Sequence, residues 1–326
     1  MNAQQQLFNL TPAMFSPHTL HGFNQNFRET NCYGDLIIEL VYSLGLEPTA
    51  CLAYTLAVDF EGDQWTFGKP SSHDLMQLYG IRIEELSLYR SLMDQMVTQI
   101  QRGSVPLLEA DAYHLPDTAG IDYLVNHVKT TIAITHIDAE NKSLRYFHNA
   151  AFSELNGDDF DGVLRPLIGA QKGYLPPYCE LAKLEMLKVL SQDELRAIAF
   201  TSAKFHLKKR PRINPIEQHG LVMAEHQQNM ISGGQAFYHA YTFVALRQLG
   251  AAHQLGAHFL RWLNAEDENL KAAANAFEQI STAAKMLVLK LARVSHSAKP
   301  ADLTVIFAEM AAQYELASQH LGAAFA

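Results

Sequence analysis

Residues 127–150, HVKTTIAITHIDAENKSLRYFHNA, contain the strand pattern that decides the fold of the first half of the chain. Apolar and β-branched residues predict one strand over 127–138 and a second over 143–150. The stretch between them is rich in turn-forming residues, which indicates a hairpin. In an antiparallel hairpin, the start of the first strand lies beside the end of the second. An antiparallel sheet is therefore the expected centre of this half.

Outward from the hairpin, short strands mix with helices up to about residue 175, and the rest of the chain is almost wholly helical in pattern. The paired prolines of GYLPPYCE (173–180) are typical of a linker between two domains. Further strands are predicted at 50–60 and 105–113. The predicted helices are 36–46, 71–80, 83–103, 179–192, 192–207, 215–231, 234–264, 266–295 and 300–322.

Composition narrows the class of protein. The chain has 326 residues, 48% of them hydrophobic, which is enough for one large core or two smaller ones. Its formal charge of −9 argues against a general nucleic-acid binder. No window of 18 apolar residues predicts a membrane span, and the N-terminus does not resemble a secretory signal. Three cysteines without a CxxC pair favour a reducing compartment. We therefore expect a cytoplasmic protein that does not enter a membrane.

Cys32 precedes the predicted helix 36–46, so its thiol is expected at or within the first helical turn. Unpaired N–H groups at a helix N-terminus stabilise a thiolate, which is the nucleophilic form of cysteine. A nucleophilic cysteine also needs a base and a group that orients the base. The hairpin would bring His127 and Asn149 together for these two roles. The alternative interpretation of Cys32 is a small buried apolar residue, which also suits Cys51.

The segments NCYGDLIIELVYSLGLEP, AVDFEGDQWTFGKP, EADAYHLPDTAG, HVKTTIAITHID and YFHNAAFSELNGDDF resemble the bacterial domain-of-unknown-function family 1839. More distantly, the order of motifs is similar to the papain-fold acyltransferases related to the butirosin-biosynthesis enzyme. That resemblance implies a catalytic set of Cys32, His127 and Asn149. It also implies substrate-binding roles near the cleft for Glu109, Asp111 and Tyr113. The extended Cys-flanking signature of papain-like peptidases is missing.

The expected fold class is therefore α+β, with a papain-like catalytic domain over residues 1–175 followed by a helical domain over residues 176–326. The resemblance implies a cysteine-dependent acyl- or aminoacyltransferase. Such an enzyme takes its acyl group from the phosphopantetheine thioester of a carrier protein and passes it to an amine or hydroxyl of a small-molecule or peptide acceptor. It would bind no cofactor of its own. A cysteine amidase or peptidase, or a binding protein that retains the fold, are the alternatives.

An oxyanion formed during acyl transfer needs hydrogen-bond donors where its charge develops. Asn26 lies six residues before Cys32, the offset at which papain-like peptidases carry a Gln, and Asn31 is the other nearby amide. Both are also typical turn or cap residues. A metal site among Asp111, His114, His127 and His148 is the less favoured reading, because the sequence has no specific metal-binding spacing. We expect no bound metal.

The segment KFHLKKRPR (204–212) is a cationic exception in an acidic chain. It is either a solvated loop or a docking surface for an acidic carrier protein, which electrostatic steering would favour. The long apolar helices of the second half could also bury a homodimer interface. The candidate docking residues are Lys204, Lys208, Lys209, Arg210 and Arg212.

Overall fold

A computed structural model describes residues 3–164 and 176–326 and has an α+β architecture. Its described strands form one antiparallel sheet in the order β1-β6-β2-β3-β4-β5. The strands are β1 (Arg82–Glu85), β2 (Ser104–Asp111), β3 (Lys129–Asp138), β4 (Ser143–His148), β5 (Ala151–Asn156) and β6 (Cys179–Lys183).

Ten α-helices are described. Five belong with the sheet: α1 (Ala3–Phe8), α2 (Cys32–Ser43), α3 (Ser72–Tyr79), α4 (Leu92–Gln101) and α5 (Asp158–Val163). The other five follow the sheet in the chain: α6 (Gln192–Leu207), α7 (Pro215–Thr242), α8 (Gln248–Leu263), α9 (Glu268–Ser297) and α10 (Thr304–Ala324). A π-helical turn over Phe243–Arg247 joins α7 to α8.

The sheet is the middle layer of its unit. Helix α2 packs against β3 and β4, and α4 packs against β2 and β3. Side chains alternate between the two faces of a strand, so each strand contributes to two separate layers. Leu108, Ile132, Ile134 and Tyr146 point to the face that carries α4 and α5, where they form a buried apolar core.

The chain divides into two units that are not consecutive in sequence. The described residues of the sheet unit lie within 1–19, 31–48 and 71–191, and those of the helical unit lie within 20–30, 49–70 and 192–326. This differs from the predicted division after residue 175, because β6 pairs with both β1 and β2 and so belongs to the sheet. Residues 173–175 of the predicted linker lie outside the described residues.

Three predicted elements are wrong in type. Most of the apolar run 50–60 lies in a 3₁₀ segment, Pro48–Ala57, rather than in a strand. The predicted helix 83–103 is the strand β1, a connection and the shorter helix α4, and the start of the predicted helix 179–192 is the strand β6. Short apolar runs fit a buried strand or a buried helical turn equally well, and strand pairing with distant residues decided these cases.

The hairpin and most of the helices are confirmed. Strands β3 and β4 pair antiparallel, with Ala133 opposite Phe147. Helix α3 has the predicted boundaries, because the Ser71 side chain caps its start and Gly80 ends it in the left-handed conformation. The predicted interruption near residue 232 is the non-helical Gly234 inside α7.

Candidate active site

Cys32 is the first residue of α2, the position that the sequence predicts for it. The Asn31 side chain caps this helix, since its Oδ1 accepts a hydrogen bond from Gly34 N at 2.7 Å. The thiol is half-buried, whereas Cys51 and Cys179 are buried. Burial raises the pKa of the Cys179 thiol to about 12, which disfavours its thiolate. Of the three cysteines, Cys32 is therefore the best placed to react.

His127 contacts a carboxylate at the end of β2. Its Nδ1 lies 2.7 Å from Asp111 Oδ2, and its ring stacks on Tyr113 with centroids 4.4 Å apart. The other Asp111 oxygen accepts a hydrogen bond from Tyr113 N at 3.1 Å. An ionised carboxylate only accepts hydrogen bonds, so the Nδ1 atom carries the proton. The Nε2 atom of a neutral His127 is then the basic nitrogen.

Asn149 does not make this contact, which corrects its predicted role as the orienting group. The residue lies in the two-residue connection between β4 and β5, where His148 pairs with Ala151. Its φ of +49° is left-handed, a conformation that asparagine adopts more readily than most residues. Asn149 is therefore explained by the turn. Asp111, predicted to bind substrate, occupies the orienting position instead.

The helix that begins with Cys32 lies on the sheet face that also presents Asp111. Tyr33 donates a hydrogen bond to Glu180 Oε2 at 2.7 Å, and Glu180 pairs across the sheet with Leu107. Leu107 and Asp111 lie on one face because they are four residues apart in the same strand. Among the described residues no hydrogen bond joins Cys32 to His127.

Glu180 is a buried carboxylate that the sequence analysis missed, because residues 179–192 were predicted to be helical. It is 8% exposed, and Tyr178 donates a second hydrogen bond to its Oε1 at 3.0 Å. Burial, followed by the contact with Glu180, raises the pKa of Tyr33 far above its ordinary value. Within the described part of the chain, no Lys or Arg forms an ion pair with Glu180.

The other predicted substrate-binding residues lie beside His127. Glu109 forms an ion pair with Lys129 Nζ at 3.1 Å, and Tyr113 covers the imidazole. Lys129 pairs with Asp111 across β2 and β3, so these side chains occupy one end of the same face. Glu109 therefore carries a charge that is already balanced by a neighbouring lysine.

The two predicted oxyanion candidates have other structural roles. Asn31 is the N-cap of α2. Asn26 belongs to the helical unit, where its Nδ2 donates to Ser281 Oγ at 3.4 Å and to Thr282 Oγ1 at 3.1 Å. The Asn31 contact fits its alternative interpretation as a cap residue, whereas Asn26 makes a tertiary contact with α9.

The predicted docking residues surround the C-terminal end of α6. The Lys204 and Lys209 ammonium groups lie over the rings of Phe200 and Phe205, at 5.2 Å and 4.0 Å from the ring centroids. Phe205 is 50% exposed. This region thus combines positive charge with an exposed aromatic ring. Lys208, Lys209 and Arg212 are exposed, and Lys204 and Arg210 are half-buried.

A second histidine, His148, lies on the opposite sheet face from Asp111 and is buried in a hydrogen-bond network. His148 Nδ1 contacts Asp117 Oδ2 at 2.6 Å, and its Nε2 contacts Thr130 Oγ1 at 2.8 Å. Tyr146 also donates to Asp117. His148 is 3% exposed, so this network fixes the sheet and is not accessible to a substrate. In the part of the chain that is described, no group of three His, Cys, Asp or Glu side chains is arranged to hold a metal ion.

The fold defines an α+β protein in which a single described antiparallel sheet supports the candidate site and a separate helical unit accompanies it. The chain matches the DUF1839 N-terminal domain over residues 16–184 and the DUF1839 C-terminal domain over residues 192–323. It therefore belongs to the DUF1839 family. No curated protein matches the chain. Among its described helices, none has the length and apolar character that crossing a membrane requires.

Proposed function

We propose that the protein is a cysteine-dependent acyl- or aminoacyltransferase on a papain-like sheet unit. Cys32 is the nucleophile, His127 the general base and Asp111 the group that orients the imidazole. The observation that carries the proposal is the 2.7 Å contact between His127 Nδ1 and Asp111 Oδ2. This pair lies on the sheet face that supports the helix beginning with Cys32.

In each half of the reaction, His127 accepts one proton and then donates it. His127 Nε2 takes the Cys32 thiol proton, and the thiolate attacks the carbonyl carbon of a thioester. The bond from that carbon to the donor sulfur breaks, and the departing phosphopantetheine thiolate takes the proton from His127. An acceptor amine or hydroxyl then attacks the acyl-enzyme and gives its proton to His127. The bond to Cys32 breaks, and the proton returns to the Cys32 thiolate.

The remaining groups suggest what the site recognises. Glu180 is buried beneath Tyr33 and Tyr178, so the more exposed Glu109 is the better candidate for contact with a cationic amino group on the donor or acceptor. The cationic residues at the end of α6 supply a docking surface for an acidic carrier protein, and the exposed Phe205 adds an apolar contact. Acyl transfer from a carrier protein thus accounts for the carboxylate near the site and for the cationic surface at the end of α6.

Intact-mass spectrometry with a panel of acyl- and aminoacyl-thioesters tests the nucleophile. We expect a mass gain in the native protein and in Cys51→Ala, and none in Cys32→Ala. A gain that persists in Cys32→Ala, or no gain with any thioester in folded protein, would contradict the proposal. Release of the free acid at the same rate with and without added amines would instead indicate a hydrolase.

A pair of variants tests the assignment of Asp111 as the group that orients His127. We expect Asp111→Asn to slow formation of the Cys32 adduct by a factor on the order of 10² or more, because the imidazole loses the group that fixes its tautomer. Asn149→Gly removes the other side-chain candidate and keeps the turn. Its adduct should form at the native rate. The reverse result would return the orienting role to Asn149.

A further inference from the structure

The helical unit contains an open polar groove of about 750 Å³, bordered by residues 24–26 and by α8, α9 and α10. Side-chain amides dominate its lining, and no Lys or Arg is among the described residues that line it. The groove has no part in the proposed acyl transfer. The residues that carry the argument are Asn26, Gln254, Asn275 and Gln279.

One end of the groove already holds polypeptide backbone. Gln254 Oε1 accepts a hydrogen bond from Phe27 N at 3.0 Å, and Gln254 Nε2 donates one to Phe27 O at 2.8 Å. A single amide thus pairs with both backbone groups of one residue, as a neighbouring strand would. Gln248 of the same helix donates a further bond to Thr30 O at 3.1 Å.

The side chain of Phe27 is held as firmly as its backbone. Its ring lies against Gly250, where an added Cβ would be 2.1 Å from a ring carbon. Phe27 is 7% exposed. The combination of an aromatic anchor in a slot and an amide on the backbone is a way of recognising a peptide segment. Here the helical unit binds a segment of its own chain in this way.

Other side-chain amides of the groove use one of their polar atoms, oxygen or nitrogen, in a hydrogen bond within the protein. Their other polar atom retains hydrogen-bonding capacity. Arg261 donates to Asn275 Oδ1 at 2.9 Å, which orients the Asn275 amide with its two N–H donors remaining. Asn26 uses its Nδ2 on Ser281 and Thr282, so its carbonyl oxygen is an acceptor. Donors and acceptors are therefore both present, as a peptide backbone requires.

The charge of the groove limits the ligand further. Arg261 pairs with Glu278 through contacts of 2.6 Å and 2.7 Å, which neutralises that carboxylate. Glu309 also lines the groove and is exposed. With an exposed carboxylate and no cation in the lining, an acidic ligand is disfavoured.

We propose that this groove binds an extended, non-acidic polypeptide segment of a partner protein. Its amides pair with the backbone of that segment, as Gln254 pairs with Phe27.

The test uses the full chain and a phage-displayed library of random 12-residue peptides. Peptides enriched on the native protein are synthesised and titrated calorimetrically against Gln279→Ala and Asn275→Ala. Both residues are exposed on α9, so alanine preserves the helix. Gln228→Ala, an exposed amide of α7 outside the groove, is the matched control. We expect each groove substitution to weaken binding about fivefold to tenfold, which is the effect of one lost hydrogen bond. The control should bind with native affinity.

Three outcomes would overturn the proposal. The first is a library that yields no peptide enriched over uncoated support, with the protein shown to be folded. The second is enriched peptides that bind the native protein and both groove variants equally. The third is a strong preference for Asp- and Glu-rich peptides, which the charge of the groove excludes.

Discussion

A single glutamine side chain satisfies both backbone groups of Phe27. Gln254 is 4% exposed and Phe27 is 7% exposed, so water does not readily replace these hydrogen bonds. A buried backbone group without a partner costs about 1–3 kcal/mol. The position of residues 20–30 within the helical unit therefore depends strongly on Gln254.

The corresponding prediction concerns stability. Gln254→Ala should lower the free energy of unfolding by roughly 2–4 kcal/mol, because the N–H and C=O of Phe27 both lose their partner. Urea denaturation followed by tryptophan fluorescence measures the change. Gln279→Ala removes an exposed amide from the same groove and should change stability by less than about 0.5 kcal/mol. Equal stability of the two variants would show that Gln254 does not hold the segment.

At the scale of elements, the end of α3 depends on close approach of two backbones. Gly80 ends the helix with φ +71°, and its N–H bonds to Leu75 O and Met76 O. A Cβ at this position would lie 1.9 Å from the carbonyl oxygen of Met186. Glycine is thus required for both conformation and space.

Gly45 offers a matched comparison for this element. It follows α2 with φ +72°, and a Cβ there would meet nothing within 4 Å. Gly45→Ala should cost about 1 kcal/mol, the cost of a left-handed conformation alone. Gly80→Ala should cost roughly 3 kcal/mol, since the chain segment at Met186 must also move. Chemical denaturation of both variants measures the difference, and equal values would contradict the close approach.

At the scale of the whole molecule, buried histidines link stability to pH. Trp65 Nε1 donates to His219 Nδ1 at 3.0 Å, so His219 Nε2 carries the proton and donates to the Tyr241 hydroxyl at 2.6 Å. The Tyr241 hydroxyl donates in turn to Met223 Sδ at 3.2 Å and lies 3.1 Å from His226 Nδ1. Burial, with a smaller contribution from His226, lowers the pKa of His219 to about 3. Burial also lowers the pKa of His253 to about 4.

These pKa values predict loss of stability in mild acid. An unfolded imidazole has a pKa of about 6.5, so between pH 6.5 and 4 the unfolded chain binds protons that the folded chain does not. The free energy of unfolding therefore falls as pH falls. From pH 6.5 to 5 each of the two histidines should contribute a loss of about 1.6 kcal/mol.

Urea denaturation across this pH range, followed by the fluorescence of Trp65 and Trp262, measures the effect within the helical unit. His253→Gln retains a polar side chain that does not titrate. Its stability should fall less steeply with acid, by about 1.4 kcal/mol less per pH unit. A slope identical to that of the native protein would show that His253 binds protons equally in the folded and unfolded states.

Local patterns determined a large part of the fold. Helix α3 lies between a serine cap and a glycine stop. In the hairpin of β3 and β4, apolar and polar residues alternate along the strands, and a polar turn joins them. The position of Cys32 at the start of α2 followed from the same reasoning. Each of these features depends on residues within a few positions of one another, so the sequence alone contains the physical information.

Only the tertiary structure decided which strand lies beside the start of β3, and therefore that Asp111 rather than Asn149 contacts His127. The same holds for β6, which entered the sheet although its residues were predicted to be helical, and for residues 20–30, which joined helices more than 200 positions away. Hydrogen bonds between distant backbones form only where the whole chain buries apolar surface around them. Neither periodicity nor composition records which partner that burial selects.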